Sequence, residues 1–203
     1  YSSWSMRPWM ALRGNDIPFE ETFIPLYTGA ADKQRILDVS PAGKVPVLVD
    51  GDITVWDSLA IIEYLAEKFP DKKLWPADRA ARARARAIAA EMHSGFAALR
   101  NECGMNLHRP VGAVALSEEA RDNVARVKEI WTDCLGRYGG PFLFGGFGGV
   151  DAMYAPVVHR FRTYAIDVTP PVRQYMEAMQ ALPAFQQWTR EGLAETIIIE
   201  KFE

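Results

Sequence analysis

The apolar pattern of this chain changes character once, near residue 70, and that change limits the folds open to it. Before it, strand-like and helix-like stretches alternate. Residues 8–14 read as a short helix with Pro8 in its first turn and Gly14 as its stop. Residues 22–26 form a β-rich run after the Ile17-Pro18 break, and residues 31–38 form a second short helix. Residues 45–49 and 52–55 make two strands joined at Asp50-Gly51, a dipeptide that signals a hairpin when apolar runs flank it. Residues 58–68 have the spacing of an amphipathic helix, closed by Phe69-Pro70.

Beyond the connector Pro70-Asp71-Lys72-Lys73-Leu74-Trp75-Pro76 the strand pattern is gone. Ile88, Met92, Phe96, Leu99 and Cys103 recur at helical spacing. Ser117 with Glu118 and Glu119 opens another helix, whose Ala120, Val124, Val127, Trp131 and Leu135 share one face. Gly148 and Asp151 have the spacing of a capping box whose cap has lost its hydroxyl. The helix they open, residues 152–164, is apolar on most sides and should be the buried centre of its domain, bent at Pro156. Pro171 and Pro183 occupy first-turn positions of two more helices. The prediction is a small α/β domain over residues 1–70 followed by an all-helical domain over residues 77–203. A chain of 203 residues suits two small domains sharing a core.

Composition narrows the function. An apolar fraction of 49% with 24% charged residues is the balance of an ordinary soluble globular protein. The formal net charge of −3 argues against a general binder of nucleic acid or anionic membrane. No apolar run approaches the roughly 20 residues that span a bilayer, and no charged-then-apolar leader is visible. Cys103 and Cys134 lie inside helical patterns; they make no disulfide framework and point to a reducing cytoplasm and buried small side chains. With His93, His108 and His159 dispersed and without a catalytic partner visible in the sequence, no metal site is expected. Arg79, Arg82 and Arg86 share one helical face, with Arg84 opposite, which reads as a solvated face or a subunit-contact stripe.

Three segments carry chemistry. Ser2-Ser3-Trp4-Ser5-Met6-Arg7-Pro8 places three hydroxyls before a helix. Ser40-Pro41-Ala42-Gly43-Lys44-Val45-Pro46-Val47-Leu48 contains a Val-Pro step that can present a backbone edge. Trp56-Asp57-Ser58-Leu59 opens a helix whose start can hold a carboxylate. Taken singly, these read as an N-cap cluster, a strand-entry proline and a capping pair.

In this order and spacing the three segments resemble the glutathione transferase family, the first of them its zeta- and omega-like members. The resemblance runs the length of the chain and implies a thioredoxin-like N-terminal domain followed by a helical bundle. It implies glutathione as co-substrate and Ser2 as the group contacting its thiol, with Ser3 and then Ser5 as alternatives. A free thiol with a pKa of about 8.5 is only a few per cent ionised at neutral pH. Lowering that value by about two pH units takes about 2.7 kcal/mol. A hydroxyl donating to the thiolate supplies about 1.5–3 kcal/mol and a helix N-terminus about 0.3–2 kcal/mol, so no metal or histidine base is required.

The resemblance also implies that Val45-Pro46 is a cis step pairing with the cysteinyl part of glutathione. Lys44, with Lys33 as a second candidate, would face the glycine carboxylate. Ser58 would take the γ-glutamyl carboxylate and Asp57 its α-amino group. The electrophile pocket is expected between the domains, near Trp4, Trp9, Met105 and Leu107. In the family a strand runs directly into the catalytic turn, whereas this sequence starts at Tyr1 inside that turn, so a short preceding stretch is expected. The resulting expectation is a cytoplasmic homodimeric enzyme that conjugates glutathione to, or isomerises, a small electrophile. The alternative is a binding or regulatory protein of the same fold with little turnover. Serine where sulfur would be needed disfavours a reductase.

Overall fold

The computed structural model describes residues 1–27 and 29–200. The first 70 residues hold α1 (Ser3–Arg13), α2 (Ala30–Val39), β1 (Leu48–Asp50), β2 (Ile53–Val55) and α3 (Ser58–Lys68). A 3-10 turn, Pro70–Lys72, leads to α4 (Arg79–Ser94), α5 (Ala97–Glu102), α6 (Glu118–Tyr138), α7 (Gly149–Thr163), α8 (Pro170–Ala181) and α9 (Pro183–Ala194). β1 and β2 pair antiparallel, Leu48 opposite Val55 and Asp50 opposite Ile53. The turn between them is the one Asp50-Gly51 calls for, with Gly51 at φ 58°, where a glycine has no Cβ to clash.

Three elements differ from the sequence expectation. α1 starts well before Pro8, because Ser2 caps it: its Oγ accepts from the Ser5 N–H at 3.2 Å. Pro8 therefore lies inside the helix, where it cannot supply the N–H that the Trp4 carbonyl would otherwise accept. Residues 22–26 join neither strand of the described sheet; β-branched and aromatic side chains favour extension, but a strand also needs a ladder partner. The helical spacing from Ile88 to Cys103 is interrupted at Gly95, the C-cap of α4, and at Phe96, whose φ is 59°. Both pieces still bury the apolar residues that carried the pattern.

α7 is the centre of the helical part. Every residue of it except Arg162 is buried, Pro156 lies within it, and it packs against α1, α4 and α8. Trp131 of α6 meets Tyr154, Phe161 and Tyr175 with ring centroids 5.0 to 5.7 Å apart. At the start of α7 the fully buried Asp151 accepts from the N–H groups of Gly148 at 3.0 Å and Leu143 at 3.1 Å. Burial pushes this carboxyl up to about 7, while the two backbone donors pull it down. His159, further along α7, is driven down to about 4 by burial first and then by Arg162 and Arg160. Neither of its ring nitrogens has a hydrogen-bond partner.

The seam between the first 70 residues and the helices closes on bare backbone. The Gly149 N–H donates to the Leu74 carbonyl at 2.7 Å. A Cβ on Gly149 would stand 2.8 Å from Ile62 Cγ2 and 3.2 Å from the Leu74 oxygen. Three arginines of α4 find partners within the chain. Arg86 forks onto Glu63 of α3 at 2.8 and 2.9 Å, Arg84 reaches Asp133 of α6 at 3.0 Å, and Arg82 donates to the Pro76 and Ala77 carbonyls. Cys103 and Cys134 are buried, and burial pushes both thiols up to about 11.

Candidate functional site

The first turn of α1 sets the site. Ser2, as N-cap, and Ser5, one turn on, bring their hydroxyls 2.8 Å apart. Ser2 is the donor in that hydrogen bond, so the Ser5 proton is left to be donated outward, and the two hydroxyls exchange these roles by rotating about their C–O bonds. No acidic side chain occupies this turn, and the N-terminal end of the helix dipole adds positive potential. Both serines line a cleft of about 720 Å³. Its walls include Trp9 from α1, the Val45-Pro46 step, Leu107 after α5 and Trp188 of α9. The Val45–Pro46 peptide is cis. Trp9 donates its indole N–H to Glu21 at 2.9 Å and meets Trp188 edge to face at 5.2 Å.

A second cluster surrounds the start of α3. Asp57 is its N-cap, with Oδ1 accepting from the Leu59 N–H at 3.1 Å and Oδ2 lying 3.0 Å from Nε2 of His93 on α4. Ser58 is fully buried, and its Oγ accepts from Arg7 Nη1 at 3.4 Å. Arg7, itself only 1% exposed, is pushed down to about 9 by burial and by Arg100 and Arg160, while Asp57 pulls it the other way. Trp4 sits among these groups: the Arg7 guanidinium lies 4.2 Å and that of Arg100 5.0 Å from its ring, and His93 meets it edge-on at 5.3 Å.

The sequence candidates thus fall into two groups and a remainder. Ser2, Ser5, Trp9, Val45, Pro46 and Leu107 share the cleft. Asp57, Ser58 and Trp4 belong to the cluster that Arg7 ties to α1. Ser3 is buried, Met105 is a core side chain, and the exposed Lys33 and Lys44 lie outside the cleft wall. Arg7 and His93 are participants that the sequence reading passed over. An arginine among the apolar residues of a short helix was a usable signal for the first. Nothing in the sequence linked His93 to Asp57. Among the described residues no group of three or more His, Cys, Asp or Glu side chains could hold a metal ion.

Comparison with known proteins gives this geometry its context. Residues 1–68 match the family model of the glutathione S-transferase N-terminal domain, and residues 79–191 that of the C-terminal domain. A probable maleylacetoacetate isomerase from Caenorhabditis elegans is 31% identical over 187 residues, covering 90% of this chain and 86% of the relative. Glutathione S-transferase Z2 from Arabidopsis thaliana is 28% identical over 207 residues, covering 96% and 90%. Among solved structures, a glutathione transferase homologue from Burkholderia gl BGR1 with bound glutathione superposes with a TM-score of 0.72 at 26% identity, covering 96% of this chain and 94% of its own. With a thioredoxin-like N-terminal part, an all-helical remainder and both halves matched, this chain belongs to the glutathione S-transferase family.

Proposed function

We propose that this protein is a serine-type glutathione transferase in which the capped start of α1 ionises the thiol of bound glutathione. The thiolate then adds to a small electrophile or assists its isomerisation. Enzymatic relatives over nearly the whole chain favour turnover over a non-catalytic binding role. The carrying observation is the Ser2–Ser5 hydroxyl pair, 2.8 Å apart at a helix N-terminus and open to the same cleft as Val45-Pro46.

In this reading the Ser2 hydroxyl turns its proton from Ser5 to the sulfur, while the Ser5 N–H and hydroxyl hold the Ser2 oxygen in place. The pairing of the two in the cleft supports Ser5 ahead of the buried Ser3 as the alternative donor. The Val45 backbone pairs with the cysteinyl unit as an added strand does. The Ser58 N–H at the start of α3 takes the γ-glutamyl carboxylate. The Ser58 hydroxyl is engaged by Arg7, so that guanidinium adds positive charge behind the site. Asp57 takes the α-ammonium group. Lys44 and Lys33 reach the glycine carboxylate through their long side chains. The electrophile enters over Trp9 and Leu107, away from the clamped Trp4 and the core residue Met105.

A division at the 70–77 connector, a homodimer and a cytoplasmic location complete the proposal. The family supports all three, and no helix among the described residues is long and apolar enough to cross a membrane. Ultraviolet titration of the thiolate in the glutathione complex tests the central step. We expect the bound thiol to ionise about two pH units below free glutathione. Ser2→Ala should abolish most of that difference and lower kcat/KM by about 10- to 150-fold, the worth of a charge-assisted hydrogen bond. A bound thiol that ionises as it does in buffer would overturn the mechanism.

A further inference from the structure

The carboxylate assigned to the α-ammonium group of glutathione is held from two sides, and one of the holds comes from the helical half. Asp57 Oδ1 is engaged by the Leu59 N–H of its own helix, while Oδ2 lies 3.0 Å from His93 Nε2 on α4. A carboxylate offers about four lone-pair directions, so two remain open to a ligand ammonium after both contacts are made. Asp57 is 46% exposed at its side chain and His93 27%, so the acceptor can be reached while the histidine stands behind it. The ring of His93 is fixed in turn by the edge-on contact with Trp4. Its Nδ1 is buried without a hydrogen-bond partner, and Nε2 is the ring nitrogen that faces the carboxylate. Arg7 and Arg100 both lie against the Trp4 ring, and Arg100 Nη1 donates to the His93 carbonyl at 3.3 Å, anchoring the backbone that presents the ring.

We propose that His93 is a positioning residue for glutathione: it locks the Asp57 carboxylate in the orientation that receives the α-ammonium group. This rests on the role given to Asp57 above and extends it to a residue from the other half of the molecule. A carboxylate fixed by two contacts loses little rotational freedom when the ammonium arrives. One fixed only by its cap must be ordered by the ligand. His93 thereby makes recognition of the γ-glutamyl end depend on how α4 docks beside α3.

The test uses two ligands and three variants of the full chain, with affinities read by calorimetry. The ligands are glutathione and glutaryl-cysteinyl-glycine, which lacks only the α-amino group. The wild-type protein should bind glutathione more tightly than the analogue. His93→Leu should weaken glutathione by about three- to tenfold and leave the analogue unchanged, the range expected when one side chain loses its preorganisation. His93→Gln, whose amide N–H sits near the position of Nε2, should stay within about twofold of wild type. His93→Asn, too short to reach Asp57, should behave as His93→Leu and stands in for it if the leucine variant does not fold. Equal weakening of both ligands would make His93 a merely structural residue and overturn the proposal, as would unchanged binding of both. A wild-type protein that fails to distinguish the two ligands would remove the Asp57 assignment itself and this inference with it, a result visible before any variant is made.

Discussion

Two helix starts in this molecule use the same device in opposite surroundings. α1 opens on Ser2 and α7 on Gly148, each with a polar side chain accepting a backbone N–H, and the two helices pack against each other. At α1 the capping group is part-buried, its hydroxyl is shared with Ser5, and it faces a cleft. At α7 the capping carboxyl of Asp151 is sealed, and its acceptors are taken by Gly148 and Leu143. A helix end offers unpaired donors wherever it occurs. Access decides whether they hold the chain together or handle a ligand. The start of α3 lies between these extremes, with Asp57 capping its helix while half exposed.

The largest expected effect lies at the sealed end. Asp151→Ala leaves two buried N–H groups without acceptors, and urea unfolding should show a loss of about 3–5 kcal/mol. Next comes the response to acid, where α7 carries two opposed groups. His159 is held at about 4, below its ordinary 6.5, so between those values the unfolded chain binds a proton that the native one refuses. Its contribution to stability therefore falls by about 3 kcal/mol as pH drops from 6.5 to 4. Asp151, raised from 3.8 to about 7, does the reverse, and its contribution falls as pH rises through that window. Relative to wild type, His159→Leu should gain stability as pH is lowered from 6.5 to 4, and Asp151→Asn should gain as pH is raised from 4 to 7. Urea midpoints measured across this range would show two opposite slopes; parallel slopes would contradict the assignment.

At the open end the balance inverts. Ser2→Ala should lower the unfolding free energy by only about 1 kcal/mol, the ordinary worth of an N-cap, although activity drops far more. If it unfolded the protein as readily as Asp151→Ala, both helix starts would be architectural and the contrast would vanish. The smallest effect belongs to the surface. Arg86→Met removes an exposed fork onto Glu63, and chemical denaturation should register less than about 1 kcal/mol.

Much of this contrast was legible in the residues. The Gly148–Asp151 spacing announced the sealed end. The hairpin at Asp50-Gly51 and the extent of α3 followed from turn chemistry and periodicity. A proline favours the first turn of a helix, so Pro8 points to a start later than the one that the Ser2 cap sets. Periodicity could not reveal the break at Phe96, because the apolar residues on both sides of it stay buried in one core. The order of Ser3 before Ser5 came from the family resemblance, which carries no information on which hydroxyl a single turn of helix rotates into the cleft; Ser5 lines it with Ser2. The pairing of Asp57 with His93 lies beyond any local pattern, because it exists only once α4 has docked on α3.

The glycine at position 149 gives this docking a further meaning. A methyl group there would act as a wedge, forcing Ile62 and the Leu74 backbone away from the start of α7. The displacement would travel through α3, whose first turn holds the γ-glutamyl end of the tripeptide in our assignment. A residue that meets no substrate atom would then behave as a long lever on co-substrate affinity, and selection for tight glutathione binding would read as selection for the absence of a side chain.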